Sequence, residues 1–184
     1  MTSPEKNIEM EKNFEIERAK NALNFNIPLL KKYHLDRWVI TGGFATLAYG
    51  VDRPLTDIDI DIDTSIHSPD FKAFLADPEL QAHLTQPLEH NVSQAYDNYG
   101  LELTVDNVVI DICPMEEMCF VDKETGAPIH GYANGFPEHE FVDFHGITLP
   151  LLAKRGVIAQ KKQTDRDEYD RRDVRELENL LENI

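Results

Sequence analysis

The feature that most restricts the fold of this chain is a strict alternation of aspartate and isoleucine from Asp57 to Asp63. Successive side chains of an extended strand point to opposite faces. The alternation therefore predicts a strand whose three isoleucines enter a core while its four carboxylates share the other face. Carboxylates on one face repel each other unless cations bind them. Hard oxygen ligands of this kind suit Mg²⁺ or Mn²⁺.

Length and charge limit the classes of protein that this chain can represent. Its 184 residues, 41% of them hydrophobic, suffice for one well-buried core and are too few for two large domains. A formal net charge of -16 argues against extended contact with a nucleic-acid backbone and favours a neutral or cationic small-molecule partner. A local basic patch can still hold phosphates. Its members are Lys161, Lys162, Arg166, Arg171 and Arg172.

Cysteine usage and the N-terminal composition indicate the cellular compartment. Cys113 and Cys119 lack zinc-finger spacing, which argues against a structural zinc site and against a disulfide scaffold. Residues 1–20 are rich in Glu and Lys and lack the apolar core of a signal peptide. No segment approaches the roughly 20 apolar residues needed to cross a bilayer. We therefore expect a soluble, cytoplasmic protein that does not bind membranes.

Hydrophobic periodicity and turn residues predict an α+β fold in which a small mixed β-sheet is flanked by helices. Pro28 interrupts the first helical run or starts a new segment, and Gly42-Gly43 turns the first strand into a helix that Gly50 ends. The predicted helices cover 8–33, 44–49, a segment that begins at Ser68, 78–84, 149–162 and 167–181. The predicted strands cover 37–41, 57–63, 101–105, 108–113 and, within a turn-rich segment over 123–145, residues 141–144.

Two further expectations concern the organisation of these elements. Asp106-Asn107 favours a tight hairpin between two of the strands. The chain divides into an N-terminal helical segment over 1–34, a core over 35–147 and C-terminal helices over 148–184, which pack together as one structural unit.

The order of the motifs resembles the nucleotidyltransferase family related to DNA polymerase beta. The matching residues are the Gly42-Gly43 pair, Asp57 with Asp59, and Asp111 within a later apolar strand. The small bacterial members, which include aminoglycoside and lincosamide nucleotidyltransferases and toxins of toxin–antitoxin pairs, are most similar. Their C-terminal helices often carry a Lys-Asp-Arg-Ala-Asp-like stretch, to which Tyr169–Val174 is similar.

This resemblance implies a nucleotidyltransferase-like fold and the transfer of a nucleoside monophosphate from ATP or another nucleoside triphosphate to a hydroxyl group. It implies that Asp57, Asp59 and Asp111 hold two divalent cations, Mg²⁺ or Mn²⁺, roughly 3.5–4 Å apart. Asp111 would also accept the proton of the attacking hydroxyl. Gly42 and Gly43 would let the backbone approach the β- and γ-phosphates.

Several assignments within this pattern stay open. The family often places serine second in the glycine pair, and Thr46 or Thr41 is the available replacement donor. Arg53 either contacts phosphate or pairs with an aspartate of the alternating run. Lys161 or Lys162 either holds triphosphate oxygens or lies on a solvated helix face. A register with Asp59 and Asp61 as the metal pair is the alternative, whereas in the first register Asp61 and Asp63 lie farther from the metals.

Calcium, zinc and metal-free alternatives make different demands on the same residues. The aspartate run lacks the glycine and glutamate that a calcium-binding EF-hand loop requires at its sixth and twelfth positions. A solvated acidic face without metal is the simpler alternative. Irregular spacing argues against zinc binding at His130, His139 and His145. Asp170 and Asp173 are explained by ion pairing with the adjacent arginines.

The acceptor of the transfer reaction defines the alternatives for function. An acidic cleft favours a small molecule such as an aminoglycoside or lincosamide, as in antibiotic-resistance enzymes. A toxin-type enzyme that modifies a protein or a tRNA end is the second hypothesis. A non-catalytic module that binds metal and nucleotide is the third. A homodimer is compatible with each of them.

Overall fold

The computed structural model describes residues 4–122, 125–165 and 168–182, with side chains described from residue 11 onward. The helices in these ranges are α1 (Pro4–Lys32), α2 (Gly42–Ala48), α3 (Pro69–Leu75), α4 (Pro78–His83), α5 (Lys154–Thr164) and α6 (Glu168–Glu182). The strands are β1 (Trp38–Ile40), β2 (Asp57–Ile62), β3 (Leu84–Val92), β4 (Tyr96–Val105), β5 (Val108–Pro114), β6 (Cys119–Val121), β7 (Pro128–His130), β8 (His139–Phe144) and β9 (Ile147–Leu152). Lys123 and Asp167, where a predicted loop and a predicted helix begin, lie outside the described residues.

The strands form one mixed sheet in the order β7-β6-β4-β5-β2-β1-β9-β8, with β3 paired to β4. Strand β2 runs parallel to β5 and antiparallel to β1, and β1 runs parallel to β9. Helices occupy both ends of the chain. The predicted α+β fold, a mixed sheet with N- and C-terminal helices, is therefore confirmed. Among the described residues, no helix is long and apolar enough to span a bilayer.

The isoleucines of the alternating run form the centre of the core. Ile58, Ile60 and Ile62 are completely buried, and Ile110 and Ile112 of β5 continue the same apolar face. Helix α1 covers this face with several fully or almost fully buried side chains. Each buried isoleucine contributes about 1.5–3 kcal/mol relative to its exposure. The predicted division of the strand into an apolar and an acidic face is confirmed for β2. The residues that α1 contributes are Ala19, Ala22, Leu23, Leu29 and Leu30.

The hairpin between β4 and β5 is closed as the sequence predicts. Asp106 and Asn107 have φ values of +51° and +59°, the positive angles that a two-residue type I′ turn requires. Helix α1 is attached to this turn because Arg18 Nε donates to the Asp106 carbonyl oxygen at 2.7 Å. Asn21 Nδ2 donates to the Asp106 carboxylate at 2.8 Å. The turn therefore fixes both the register of the hairpin and the position of the first helix.

Several segments differ from the predictions. Helix α1 continues through Pro28 without a break, and strand β6 was not predicted. Residues 149–152 were predicted to begin a helix, but β9 occupies Ile147–Leu152 and α5 begins only at Lys154. A short apolar run fits a buried strand as well as a helix, and burial of Leu149 and Leu151 follows the two-residue period of a strand. Strand β3 was not predicted because its mostly polar residues are largely exposed and carry no apolar alternation.

The ends of the short helices also differ in part. Ser68 precedes α3 as expected, but its hydroxyl makes no capping hydrogen bond. Helix α4 is capped instead by the carboxylate of Asp77, which accepts from the Glu79 amide at 2.7 Å and from the Leu80 amide at 3.3 Å. The C-terminal helix α6 is confirmed, and its Val174 and Leu177 are buried.

Candidate functional site

Three carboxylates converge on the acidic face of β2 and β5. Asp59 is in direct register with Asp111 across the parallel pair, and Asp57 precedes Asp59 by one two-residue period of β2. One oxygen of each carboxylate lies within 4.8 Å of the others. All three side chains are partly buried. An all-oxygen set of this size can hold a hard divalent cation. The geometry favours Asp57 with Asp59 over the alternative register of Asp59 with Asp61.

Asp111 is partly buried and lies in the negative field of its neighbours. Burial is the main reason that its pKa is raised to about 7, and the negative charges of Asp59, Glu102 and Asp57 act in the same direction. Glu102 of β4 is paired directly with Asp111 on the same face of the sheet. Glu102 was not predicted from the sequence, although its place between Leu101 and Leu103 marks it as facing away from the core. The cluster therefore concentrates charge that a bound cation would relieve.

The fourth carboxylate of the strand, Asp61, is buried and only 4% exposed. Its Oδ2 accepts a short hydrogen bond from the Tyr132 hydroxyl. Burial is the main reason that its pKa is raised to about 7, while the hydroxyls of Tyr132 and Thr41 lower it. Asp61 lines the same cavity as the three clustered carboxylates, without belonging to their cluster. Asp63 follows the strand and pairs with Arg37 at 2.9 Å.

The glycine pair allows the backbone to approach two charged side chains. Gly42 has a φ of +60°, and a Cβ at this position would lie 1.8 Å from Oδ2 of Asp59. A Cβ on Gly43 would lie 2.7 Å from Nη2 of Arg53. The glycines therefore leave open the space between the carboxylate cluster and an arginine.

The hydroxyls of both threonines considered as replacement donors form hydrogen bonds within the protein. Thr46 is fully buried, and its hydroxyl donates to the Gly42 carbonyl oxygen of its own helix at 3.1 Å. The helix turns the hydroxyl of Thr46 inward, and phosphate binding by Thr46 stays a prediction. Thr41 hydrogen-bonds to Asp61.

A buried ion-pair network lies beside the glycine pair. Lys161 Nζ lies 3.0 Å from Oδ1 of Asp170 and 2.8 Å from Oδ2 of Asp173. Arg53 makes a short contact with Asp173. The four side chains are between 2% and 10% exposed. Lys161 is therefore not on a solvated face, and Arg53 pairs with an aspartate of α6 rather than with the alternating run.

The rest of the basic patch is dispersed. Arg171 pairs with Asp165 at 3.0 Å, and Arg172 donates to the Asp52 carbonyl oxygen at 2.7 Å. Asp170 and Asp173 thus pair with Lys161 and Arg53 and not with the adjacent arginines as expected. Lys162 pairs with Glu178 on the surface. Arg166 lies outside the described residues.

Two cavities meet at the carboxylate cluster. A cavity of about 440 Å³ is lined by Gly43, Arg53 and Lys161 together with Asp57 and Asp59. A second cavity, of about 250 Å³, contains Asp57, Asp59 and Asp111 and extends along the polar face of β4. The clustered carboxylates therefore lie between a space that also contains Arg53 and Lys161 and an acidic space that side-chain amides line in part.

The histidines and cysteines are not part of a further group with metal-binding geometry among the described side chains. Within 11–122, 125–165 and 168–182, the carboxylates, histidines and cysteines form one such group, the three aspartates. His130, His139 and His145 are not part of it. Cys113 and Cys119 are free thiols, as expected.

No protein-family profile and no curated protein sequence matches this chain. Solved structures do. A candidate nucleotidyltransferase from Thermotoga maritima has a TM-score of 0.51 and 18% identity, over 86% of this chain and 94% of its own. The lincosamide antibiotic adenylyltransferase LnuA, bound to lincomycin, has a TM-score of 0.50 and 18% identity, over 85% of this chain and 94% of its own.

A third solved structure extends the likeness to a fungus. An antigenic nucleotidyltransferase-like protein from Paracoccidioides brasiliensis has a TM-score of 0.54 and 15% identity, over 90% of this chain and 76% of its own. Together these similarities show that the chain has a nucleotidyltransferase-like fold.

Proposed function

We propose that this protein is a metal-dependent nucleotidyltransferase that moves a nucleoside monophosphate from a nucleoside triphosphate to a hydroxyl group. The observation that carries the proposal is the convergence of Asp57, Asp59 and Asp111, with ligand oxygens within 4.8 Å of one another. The nucleotidyltransferase-like fold supports it. The oxygen-only donor set fits Mg²⁺ or Mn²⁺.

The chemistry assigns distinct tasks to the residues of the cluster. The acceptor hydroxyl oxygen forms a bond to the α-phosphorus, the bond from that phosphorus to the bridging oxygen breaks, and pyrophosphate leaves. Asp111 accepts the hydroxyl proton, because its carboxylate lies beside those of Asp57 and Asp59 at the centre of the cluster. Asp57, Asp59 and Asp111 would hold divalent cations, which would supply positive charge to the reacting oxygens.

The triphosphate occupies the cavity lined by Gly43, Arg53 and Lys161. Arg53 and Lys161 supply positive charge to it, and Gly42 and Gly43 admit the phosphates close to the backbone. Asp170 and Asp173 are buried against the side chains of Arg53 and Lys161. These ion pairs hold the arginine and the lysine in place.

The acceptor is a small molecule rather than a nucleic acid. The net charge of -16 and the dispersal of the basic patch both oppose contact with a long phosphate backbone. LnuA is a lincosamide adenylyltransferase of similar fold and therefore offers a natural first group of test acceptors.

Binding and turnover test the proposal separately. Isothermal titration of Mg²⁺ together with an ATP analogue that carries a methylene group between its α- and β-phosphorus atoms should show binding by the wild type. The double variant with Asp57→Asn and Asp59→Asn should lose it. Asp63→Asn is the matched control, because Asp63 belongs to the same run but pairs with Arg37 instead. Equal binding by the wild type and the double variant contradicts the proposal.

Turnover is followed as pyrophosphate release with each of the four nucleoside triphosphates. The acceptor panel contains lincosamides, aminoglycosides and tRNA. Release that depends on one acceptor and disappears in the double variant supports the proposal.

A further inference from the structure

A separate cavity of about 420 Å³ lies next to the carboxylate cluster. It is formed by β6 and β7, the segment 131–137 and one side of α5. Phe120 and Gln160 line both this cavity and the one that contains Asp57, Asp59 and Asp111. The two cavities are therefore adjacent, and these two side chains lie at their boundary. We refer to the 420 Å³ space as the neutral cavity.

Hydrogen bonds fix the neutral cavity relative to the strand that carries the cluster. Tyr132 lines the cavity and donates its hydroxyl to the buried Asp61 of β2. Gln160 Nε2 of α5 donates to the same tyrosine oxygen at 3.3 Å. The segment after β7 is itself held by a bond from the Gly131 amide to the Met118 carbonyl oxygen, 2.9 Å long. The wall of the neutral cavity is thus fixed relative to the strand that carries Asp57 and Asp59.

The lining of the neutral cavity differs in charge from that of its neighbour. None of its described lining residues is Asp, Glu, Lys or Arg; aromatic rings, aliphatic groups and side-chain amides make up most of it. The adjoining cavity carries five carboxylates, those of Asp57, Asp59, Asp61, Glu102 and Asp111. A cavity of this size and composition suits an uncharged ligand with an apolar face and a few hydrogen-bonding groups.

We propose that the neutral cavity is the acceptor subsite and that it takes an uncharged hydroxyl compound with an aromatic or other apolar ring face. This inference rests on the proposed nucleotidyl transfer. The ring of the acceptor packs against Phe120 and Tyr132, and its hydroxyl passes Gln160 toward Asp111. The oxygen bonds to the α-phosphorus as pyrophosphate departs, and the proton goes to Asp111. A polycation, which the net charge alone favours, finds no counter-charge among the described residues of this cavity.

A cavity-filling substitution on α5 gives a direct binding test. Ala159 lines the neutral cavity and is exposed, so Ala159→Trp fills the space without disturbing the core. Arg155→Trp is the matched control, because Arg155 is also exposed on α5 and does not line the cavity. Saturation-transfer NMR measures binding of phenyl β-glucopyranoside, an uncharged aromatic glycoside, and of the polycation kanamycin.

The proposal predicts that phenyl β-glucopyranoside binds the wild type and the Arg155→Trp variant equally. Ala159→Trp should weaken that binding by roughly tenfold or more, which is about 1.4 kcal/mol. Kanamycin should not displace the glucoside. The proposal is overturned if the wild type does not bind the glucoside, if Ala159→Trp binds it unchanged, or if kanamycin displaces it.

The same measurement separates this inference from the proposed function. The double variant with Asp57→Asn and Asp59→Asn should keep its affinity for the glucoside while it loses Mg²⁺ and nucleotide. Failure of the wild type to bind Mg²⁺ and nucleotide would contradict the proposed function even where the glucoside binds. Failure of glucoside binding alone would contradict only the neutral cavity as the acceptor subsite.

Discussion

Asp59 and Asp111 face each other in direct register across the parallel strands β2 and β5. Their carboxylates point to the same side of the sheet, while the isoleucines that flank them are buried on the other side. Glu102 continues the acidic row on β4, opposite Asp111. The neighbouring strands β2, β5 and β4 thus each carry a carboxylate on the same face of the sheet. Burial of the apolar side chains on the other face keeps these carboxylates close together although they repel each other.

Replacement of Asp111 should abolish most of the activity without unfolding the protein. In Asp111→Asn the side chain keeps its shape but can neither accept the hydroxyl proton nor neutralise a cation. We expect kcat for pyrophosphate release to fall by about 10²–10⁴, the usual contribution of a positioned general base. Asp70→Asn, on the exposed first turn of α3, should retain wild-type activity. An Asp111→Asn variant with full turnover would exclude Asp111 as the base.

The metal-free protein should become less stable as the pH rises toward 8. The pKa values of Asp61 and Asp111 are raised to about 7, so the folded protein binds protons that the unfolded chain has already released. Between the unfolded carboxyl pKa of about 4 and the folded value, stability therefore falls with rising pH.

The decrease of stability with rising pH can be measured by thermal unfolding. In EDTA, the midpoint of thermal unfolding should fall between about pH 5.5 and pH 8. Mg²⁺ should raise the midpoint more at the higher pH, because the cation competes with protons for the same oxygens. Asp111→Asn should make the fall shallower, because only Asp61 then contributes to it, whereas Asp63→Asn should preserve the profile. A midpoint that rises across this range without metal would contradict the raised pKa values.

The sequence predicts the centre of the site better than its surroundings. Alternation of aspartate with isoleucine is a local pattern, and it places Asp57, Asp59 and Asp111 on one face of neighbouring strands. The partner of Arg53 is Asp173, 120 residues away, and no local pattern encodes that contact. Tyr132 lies in a turn-rich segment without periodicity, so its bond to Asp61 depends on how the loop folds over the sheet.

The secondary structure of two segments was also missed because it depends on contacts with residues distant in the sequence. Leu149 and Leu151 belong to a strand because β9 pairs with β1 on one side and with β8 on the other. Only that pairing distinguishes a four-residue apolar run from the start of a helix. Strand β3 is hydrogen-bonded to β4 and packs Leu84 and Leu88 partly against the core, and two such leucines in nine residues leave little trace of a strand in the sequence.

The network around Asp173 should contribute strongly to stability. Asp173 contacts both Arg53 and Lys161, and the three side chains are between 2% and 10% exposed. Asp173→Asn removes one negative charge and leaves buried positive charge uncompensated, which costs roughly 3–5 kcal/mol. Urea unfolding monitored by circular dichroism measures the change.

A surface pair provides the comparison. The side chains of Glu178 and Lys162 are 43% and 59% exposed. Glu178→Gln removes their ion pair and should lower the free energy of unfolding by less than about 1 kcal/mol. Equal losses in Asp173→Asn and Glu178→Gln would mean that burial does not strengthen the network.

Gly42 should be required for metal binding because its backbone lies against the carboxylate of Asp59. A Cβ added at this position would lie 1.8 Å from Oδ2 of Asp59, so Gly42→Ala must displace that oxygen from the cluster. The φ of +60° adds strain of about 1–2 kcal/mol for a residue with a Cβ. Gly50→Ala shares the positive φ, at +97°, but its Cβ would have no neighbour within 4 Å. Both variants should unfold at a lower temperature, whereas Mg²⁺ affinity, measured by titration calorimetry, should fall only in Gly42→Ala. Loss of Mg²⁺ affinity in both variants would attribute the effect to strain in the fold rather than to displacement of Asp59.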